Sequence, residues 1–238
     1  MSYLIVELRS QTASFRDPEF QNYHRSLLLP PPTTVFGLTG AAMGLGPQAT
    51  QRFFDAGPWT LGIYGSTMGR AKDLWKYQTL KANNPKSIIL REFMYGNRFV
   101  FAFGHPEQAK LDEVAAAFQG PIYALTMGNS DSLAKVVSVQ REEATTTSRE
   151  VAHCLMAGNV LSAVMHRAGT EPVFSVYTTS DPITFDLPTR FSYAREYGVR
   201  SVSRRQQFSV IGKEMTLNFD VVGLRYAGVF IPTFQVES

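Results

Sequence analysis

Tyr23-His24-Arg25 is the one short stretch whose residue types could break a phosphodiester bond. Metal-independent RNA cleavage needs a base at the 2′-hydroxyl, an acid at the leaving oxygen and a cation on the phosphate. Tyrosine, histidine and arginine can supply those functions. Neighbours in sequence need not converge in space, however, and this trio lies in a loop between Pro18 and Pro30. An endoribonuclease with Tyr23 and His24 at its centre is therefore one reading, and the weaker one. The sequence has no GxxxxGKS/T, HExxH, GxSxG or CxxC pattern. No two of His24, His105, His153 and His166 stand at short ligand spacing, so neither a metal nor any other cofactor is expected.

A second constellation lies in residues 66–87. Arg70, Lys72, Lys76, Lys81 and Lys86 are interleaved with Trp75 and Tyr77. Cations that hold phosphates and aromatics that stack on bases are the combination used by single-strand binders. The plain alternative is a solvated loop with one tucked aromatic. The charge distribution favours a polyanion met at chosen places. The whole chain carries only +3, but residues 61–100 hold seven Lys/Arg against two Asp/Glu. Residues 190–205 hold five arginines, including Arg200, Arg204 and Arg205, against Glu196 alone. Residues 101–150 are acidic, with four cations against seven carboxylates.

The elements that must position these groups follow from the patterning. The chain has 238 residues, 44% of them hydrophobic and 18% charged, which suits a folded core. No apolar run reaches the roughly 18 residues of a membrane helix, and the start lacks a signal-peptide pattern. A single cysteine, Cys154, leaves no internal disulfide or cysteine-cluster metal site, and a cytoplasmic address is expected. Tyr3–Leu8 reads as a strand buried on both faces. After Pro30-Pro31-Pro32, Thr33 or Thr34 is expected to cap a helix over Val35–Leu45, thinned by Gly37, Gly40 and Gly44. Close approach of another backbone would explain those glycines. Strands are expected at Trp59–Tyr64, Ile88–Tyr95, Arg98–Phe103 and Ile122–Met127. The middle two are read as a hairpin turning at Tyr95-Gly96-Asn97. A helix after Pro106 carries Leu111, Val114, Ala115 and Phe118 on one stripe. Residues 148–168 could be a broken helix, or a strand and a loop; short β-like runs follow from Pro172.

The resulting order, strand-helix-strand-strand-helix-strand, predicts an α+β chain. It has a ferredoxin-like (RNA-recognition-motif-like) domain over 1–130, with 66–87 inserted, and a small β-rich C-terminal region over 131–238.

Several of these stretches resemble one family. Phe15-Arg16, then PPPTTVFGLTGAAMG, REFMYGNRFVFAF and PIYALTMGNSDSLAKV are similar to the fifth numbered Cas protein family. These are RAMP-superfamily subunits of type I CRISPR (Cascade) complexes, and the resemblance covers most of residues 1–140. It implies a non-enzymatic, antiviral RNA-binding subunit that caps the 5′ handle of the CRISPR RNA. It also implies contacts with a backbone subunit and a large subunit, and with target DNA through the complex. The insert 66–87 stands where the family has its thumb, which makes Arg70, Lys72, Trp75 and Lys76 RNA-binding candidates. Arg16, Thr33, Thr34 and the turn Gly128-Asn129-Ser130 are expected at the handle, and Arg200, Arg204 and Arg205 on RNA or displaced DNA. One branch of the family cuts precursor RNA with a tyrosine, a lysine and a histidine. Its adjacent lysine–histidine pair is missing here, where the chain reads Tyr95-Gly96-Asn97-Arg98.

Overall fold

The computed structural model describes residues 2–20, 23–77, 86–167, 177–178, 182–195 and 199–236. In chain order its elements are β1 (Ser2–Ala13), β2 (Phe15–Arg16), β3 (Ser26–Leu27), α1 (Pro32–Met43), α2 (Pro47–Asp55), β4 (Thr60–Ser66), β5 (Gly69–Tyr77), β6 (Ser87–His105) and α3 (Gln108–Gln119). The second half comprises β7 (Ala134–Glu142), β8 (Thr146–Val151), β9 (Cys154–Ala157), α4 (Val160–Arg167), β10 (Tyr177–Thr178), β11 (Ile183–Tyr193), β12 (Arg200–Ile211), β13 (Met215–Tyr226) and β14 (Val229–Gln235). The chain is thus mixed α and β, and rich in strands.

Four strands form the centre, in the order β4-β6-β1-β7, every neighbouring pair antiparallel. Strand β1 is buried on both faces, as its unbroken apolar run requires. Leu4, Val6 and Leu8 share a core with Val35, Leu38 and Ala42 of α1 and with Leu111, Val114 and Phe118 of α3. Tyr3 and Ile5 point the other way, against Leu224 and Ile231 of the β13–β14 hairpin. The C-terminal strands join the same sheet through β14 and β9, both paired to β4.

Four expectations fail here, each for a definable reason. Residues 88–103 are not a hairpin but part of the single strand β6. Gly96 does adopt a left-handed conformation (φ 62°), yet it only bends the strand. The side chain of Asn97 donates to the Met94 carbonyl at 3.2 Å, and β1 runs alongside both halves. Residues 122–127 are not a sheet strand, because their amides serve α1 instead. Ile122 N–H donates to the Ala42 carbonyl (3.0 Å) and Tyr123 N–H to that of Ala41 (3.3 Å), satisfying open carbonyls at the helix end. The fourth central strand is β7, whose AKVVSVQRE sequence alternates in exposure. The segment 66–87, read as neither strand nor helix, is an antiparallel β arm, β5 paired to the first half of β6. Finally, α1 begins at Pro32, not after a threonine cap. Its N-cap is Pro31 without a side-chain bond, and Thr33 and Thr34 lie inside the first turn.

The thin helix has its own account. A helical glycine costs about 1 kcal/mol against alanine. At Gly40 a Cβ would overlap the Thr50 side chain, so the close neighbour is α2, not the sheet. Gly44 ends the helix in the left-handed region (φ 73°). Between residues 148 and 168 the chain forms the end of β8, then β9 and α4, with Asn159 Oδ1 accepting from the Ser162 N–H (3.0 Å) at the helix start.

Candidate nucleic-acid interface

The first candidate surface is a cleft of about 260 Å³ at the start of α1. Thr33, Thr34 and Gly37 form one side, Thr126 and Gly128 another, and Phe191 and Arg200 a third. Residues up to 167 positions apart, Thr33 and Arg200, thus share one hollow, and four of the residues expected to bind RNA line it. Gly128 has to be glycine: its φ is 95°, and a Cβ would overlap the Ser14 carbonyl. The turn it opens continues through Asn129, whose carbonyl accepts from Ser132 N–H (3.0 Å), with Ser130 exposed. The Arg200 guanidinium lies 4.6 Å from the Phe191 ring centroid, which holds the cation at the mouth of the cleft. The helix end itself offers little. Pro32 has no N–H, and those of Thr34 and Val35 both go to the Pro31 carbonyl (2.9 and 3.2 Å). Only Thr33 has an amide to spare, which weakens the expected helix-end anion site.

Arg16, Arg204 and Arg205 stand apart from this cleft. Arg16 is exposed on the small β2–β3 ribbon. Arg204 and Arg205 are exposed on β12, the latter donating to the Asp186 carbonyl (2.9 Å).

The second candidate surface is the arm. Strand geometry places alternate residues on opposite faces, and the register pairs Lys72 with Glu92, Leu74 with Leu90 and Trp75 with Ile89. One face therefore carries Arg70, Lys72 and Lys76 beside the exposed Leu74, Ile88 and Leu90. The other carries Asp73, Trp75, Tyr77, Ile89 and Arg91. Cations and aromatics that alternate in the sequence are thus separated in space. They cannot grip one nucleotide from the same side, as their interleaving suggested. Lys81 and the rest of 78–85 lie outside the described residues.

At the root of the aromatic face sits a residue the sequence reading passed over. Arg91 is 8% exposed. It donates from Nε and one Nη to both oxygens of Asp73 (3.0 and 2.6 Å), and from its other Nη to Asp131 (2.8 Å). The Trp75 ring lies 5.4 Å from its guanidinium carbon. These hydrogen bonds raise the Arg91 pKa and hold the Asp73 carboxyl below the usual range. No local motif reports such a hub, because its partners are 18 and 40 positions away.

Tyr23, His24 and Arg25 diverge around this root. The Tyr23 ring lies 5.3 Å from Lys72 Nζ, and the Arg25 guanidinium lies over Phe20. The His24 backbone pairs with β6 on either side of Arg91 (2.9 and 2.8 Å), and its ring is 6.0 Å from that of Trp75. Burial, then the positive charges of Arg16 and Arg91, lower the His24 pKa, so the imidazole is neutral at neutral pH. Its Nε2 is sealed from solvent.

No helix among the described residues is long and apolar enough to cross a membrane. The family model for CRISPR-associated protein (Cas_Cas5) matches residues 3–203. Among solved structures, a chain of a "CRISPR RNA-guided surveillance complex" is similar, with a TM-score of 0.54 and 12% identity over 89% of this chain and 90% of that one. A CRISPR protein from Archaeoglobus fulgidus aligns with a TM-score of 0.50 and 12% identity, covering 98% of this chain and 99% of its own. At such identities the likeness is one of fold. No curated protein sequence matches.

Proposed function

The chain belongs to the CRISPR-associated Cas5 family, and from that premise we propose that it is a non-catalytic RNA-binding subunit of a type I CRISPR interference complex. It seats the 5′ handle of the guide RNA, touches the backbone and large subunits, and meets target DNA only through the complex. The observation that carries this reading is the cleft where Thr33, Thr34, Gly128 and Arg200 meet. An exposed cation, hydroxyls and a tight glycine turn are suited to a phosphodiester backbone.

The central sheet supports a ferredoxin-like palm. Numbered within the strand-helix-strand-strand-helix-strand unit, its strands lie in the order 4-1-3-2. The arm emerges between the second and third of them, where the thumb belongs. Its cationic face is the one we assign to RNA. Arg70, Lys72 and Lys76 hold phosphates, while the exposed Leu74, Ile88 and Leu90 press on a base as apolar wedges do. Support for a non-catalytic role comes from Tyr23-His24-Arg25: the three side chains face three different neighbours, and the imidazole nitrogen that would exchange a proton is covered.

One gel experiment tests this. The protein meets a repeat-containing precursor RNA, a mature guide with its handle and a scrambled control, all in chelator. A handle-selective shift without cutting is expected. Metal-independent cleavage at one repeat position, lost in His24→Ala, would replace the reading with guide-RNA maturation. Equal binding to all three RNAs would refute handle recognition.

A further inference from the structure

Of the three glycines that thin α1, the chain itself accounts for two. Gly40 makes room for Thr50, and Gly44 takes a left-handed conformation. Gly37 has neither reason. It is ordinary right-handed helix, and a Cβ there would meet nothing within 4 Å. The helix bears a glycine's disadvantage where no part of this protein needs the space.

What lies over Gly37 is a slot of about 240 Å³ between α1, α2 and β11. Its walls are aromatic. Phe36 and Phe54 are stacked with ring centroids 3.9 Å apart, Trp59 adjoins Phe54, and Phe191 and Tyr193 face them. Two polar atoms among the lining residues have no partner. Thr189 is 7% exposed and its hydroxyl is unpaired; Trp59 is 3% exposed and its indole N–H is unpaired. Buried polar groups left so are uncommon and unfavourable, and a ligand acceptor would satisfy them. Thr33 and Arg200 line both the slot and the cleft that reaches Gly128, so the two hollows are continuous.

The chemistry that fits is a flat aromatic ring with an acceptor on its edge, joined to an anion on the Arg200 side. We propose that the slot receives one extruded nucleobase carrying a keto oxygen, with its phosphate at Arg200 and Thr33. This rests on the RNA-binding reading above and adds to it a seat for a single base. Gly37 is then glycine because the nucleotide passes directly over the helix backbone. An apolar side chain of another protein subunit fits less well, since it would leave the Thr189 hydroxyl and the indole N–H unanswered.

The test combines a plug with an abasic scan on the full chain. Gly37→Leu fills the slot from a position with open space around it, and its melting temperature should equal or exceed that of the parent. Guide RNAs with one abasic nucleotide at each handle position are titrated against both proteins. For the parent, one position should weaken binding about tenfold, the order expected for losing one stacked base. Gly37→Leu should weaken binding to intact RNA by a similar factor, and the abasic change at that position should then add nothing. Thr189→Val, which removes the hydroxyl and keeps the shape, should weaken binding severalfold only when that base is present. Unchanged affinity of Gly37→Leu, or a loss uncoupled from every abasic position, overturns the proposal. So does a Gly37→Leu defect confined to assembly with other subunits, which would assign the slot to protein. Equal parent affinity for handle and scrambled RNA would defeat handle recognition alone, because the abasic coupling can be read on either RNA.

Discussion

Replacing Arg91 by methionine keeps most of its aliphatic bulk and removes its charge. Three charge-assisted hydrogen bonds are lost, of 3.0, 2.6 and 2.8 Å. Such bonds contribute about 1.5–3 kcal/mol each when both partners are buried. Here the acceptor side chains are partly wet, 39% exposed for Asp73 and 53% for Asp131, so about 1 kcal/mol each is the better figure. The cation–π contact with Trp75 adds about 0.5–1 kcal/mol. Methionine avoids the desolvation of a buried guanidinium, which returns part of the loss, and the net expectation is a destabilisation of about 2–3 kcal/mol. For a chain of this length that is a fall in melting temperature of roughly 5–10 °C. Urea unfolding of the parent, Arg91→Met, Asp73→Asn and the double variant closes a cycle, with an expected coupling of about 1 kcal/mol or more. The pH dependence has a fixed sign. Arg91 holds the Asp73 carboxyl below its ordinary value of 3.8. Its contribution is therefore complete above that pH and lost as pH falls through the lower folded value. The gap between parent and Arg91→Met should narrow below about pH 4. A cost under about 1 kcal/mol, or additive single variants, would refute the account of Arg91 as the tie at the arm's root.

Two further outcomes follow from the palm. Gly40→Ala should destabilise by about 1–2 kcal/mol despite the better helix propensity, because overpacking against Thr50 outweighs it; chemical denaturation showing equal or greater stability would contradict the α1–α2 contact. Glu7 is buried, and its bonds to Arg98 (3.0 and 2.9 Å) hold its pKa below the ordinary 4.5. Its stabilisation is present above that pH and fades as pH falls through the lower folded value. Thermal melts from pH 7 to 3 should therefore show Glu7→Gln less stable by about 2 kcal/mol at neutral pH and converging with the parent in acid; parallel curves would refute the pairing.

Periodicity carried the palm into view and punctuation misled. Tyr3–Leu8, Trp59–Tyr64 and the stripe of Leu111, Val114 and Phe118 are elements whose burial matches their spacing. Gly96 read as a turn because a positive φ is needed in turns and bends alike, and only the long partner strand β1 distinguishes them. Residues 122–127 have strand composition, but backbone amides obey their nearest unsatisfied acceptors, and those were on α1. The cleft was legible residue by residue through family resemblance, as Thr33, Thr34, Gly128 and Arg200. That they share one hollow is a fact of topology, set by the way β11 and β12 bring the C-terminal half over α1. The arm's two faces could have been read from the sequence, since a period of two separates Lys72 and Lys76 from Trp75 once the segment is recognised as a strand.

The cleft and the arm are best understood as parts of one mechanical unit. Gly128 lines the cleft, and three positions later Asp131 accepts from Arg91 at the arm's root. The same turn is fixed to β1's end by the close approach of Gly128 to Ser14, and Ser14's hydroxyl donates to the Glu92 carbonyl on β6 (2.8 Å). Two short chains of contacts thus run from the cleft wall to the arm, one through Asp131 and one through Ser14. A β ribbon standing alone would swing about its base, since an isolated hairpin is marginal in water. This one is held where it leaves the sheet, on one side by the His24 backbone and on the other by Asp73. The distance between a phosphate in the cleft and the cationic face of the arm is therefore set by the fold before RNA arrives. In such an arrangement little ordering free energy has to be supplied by the RNA.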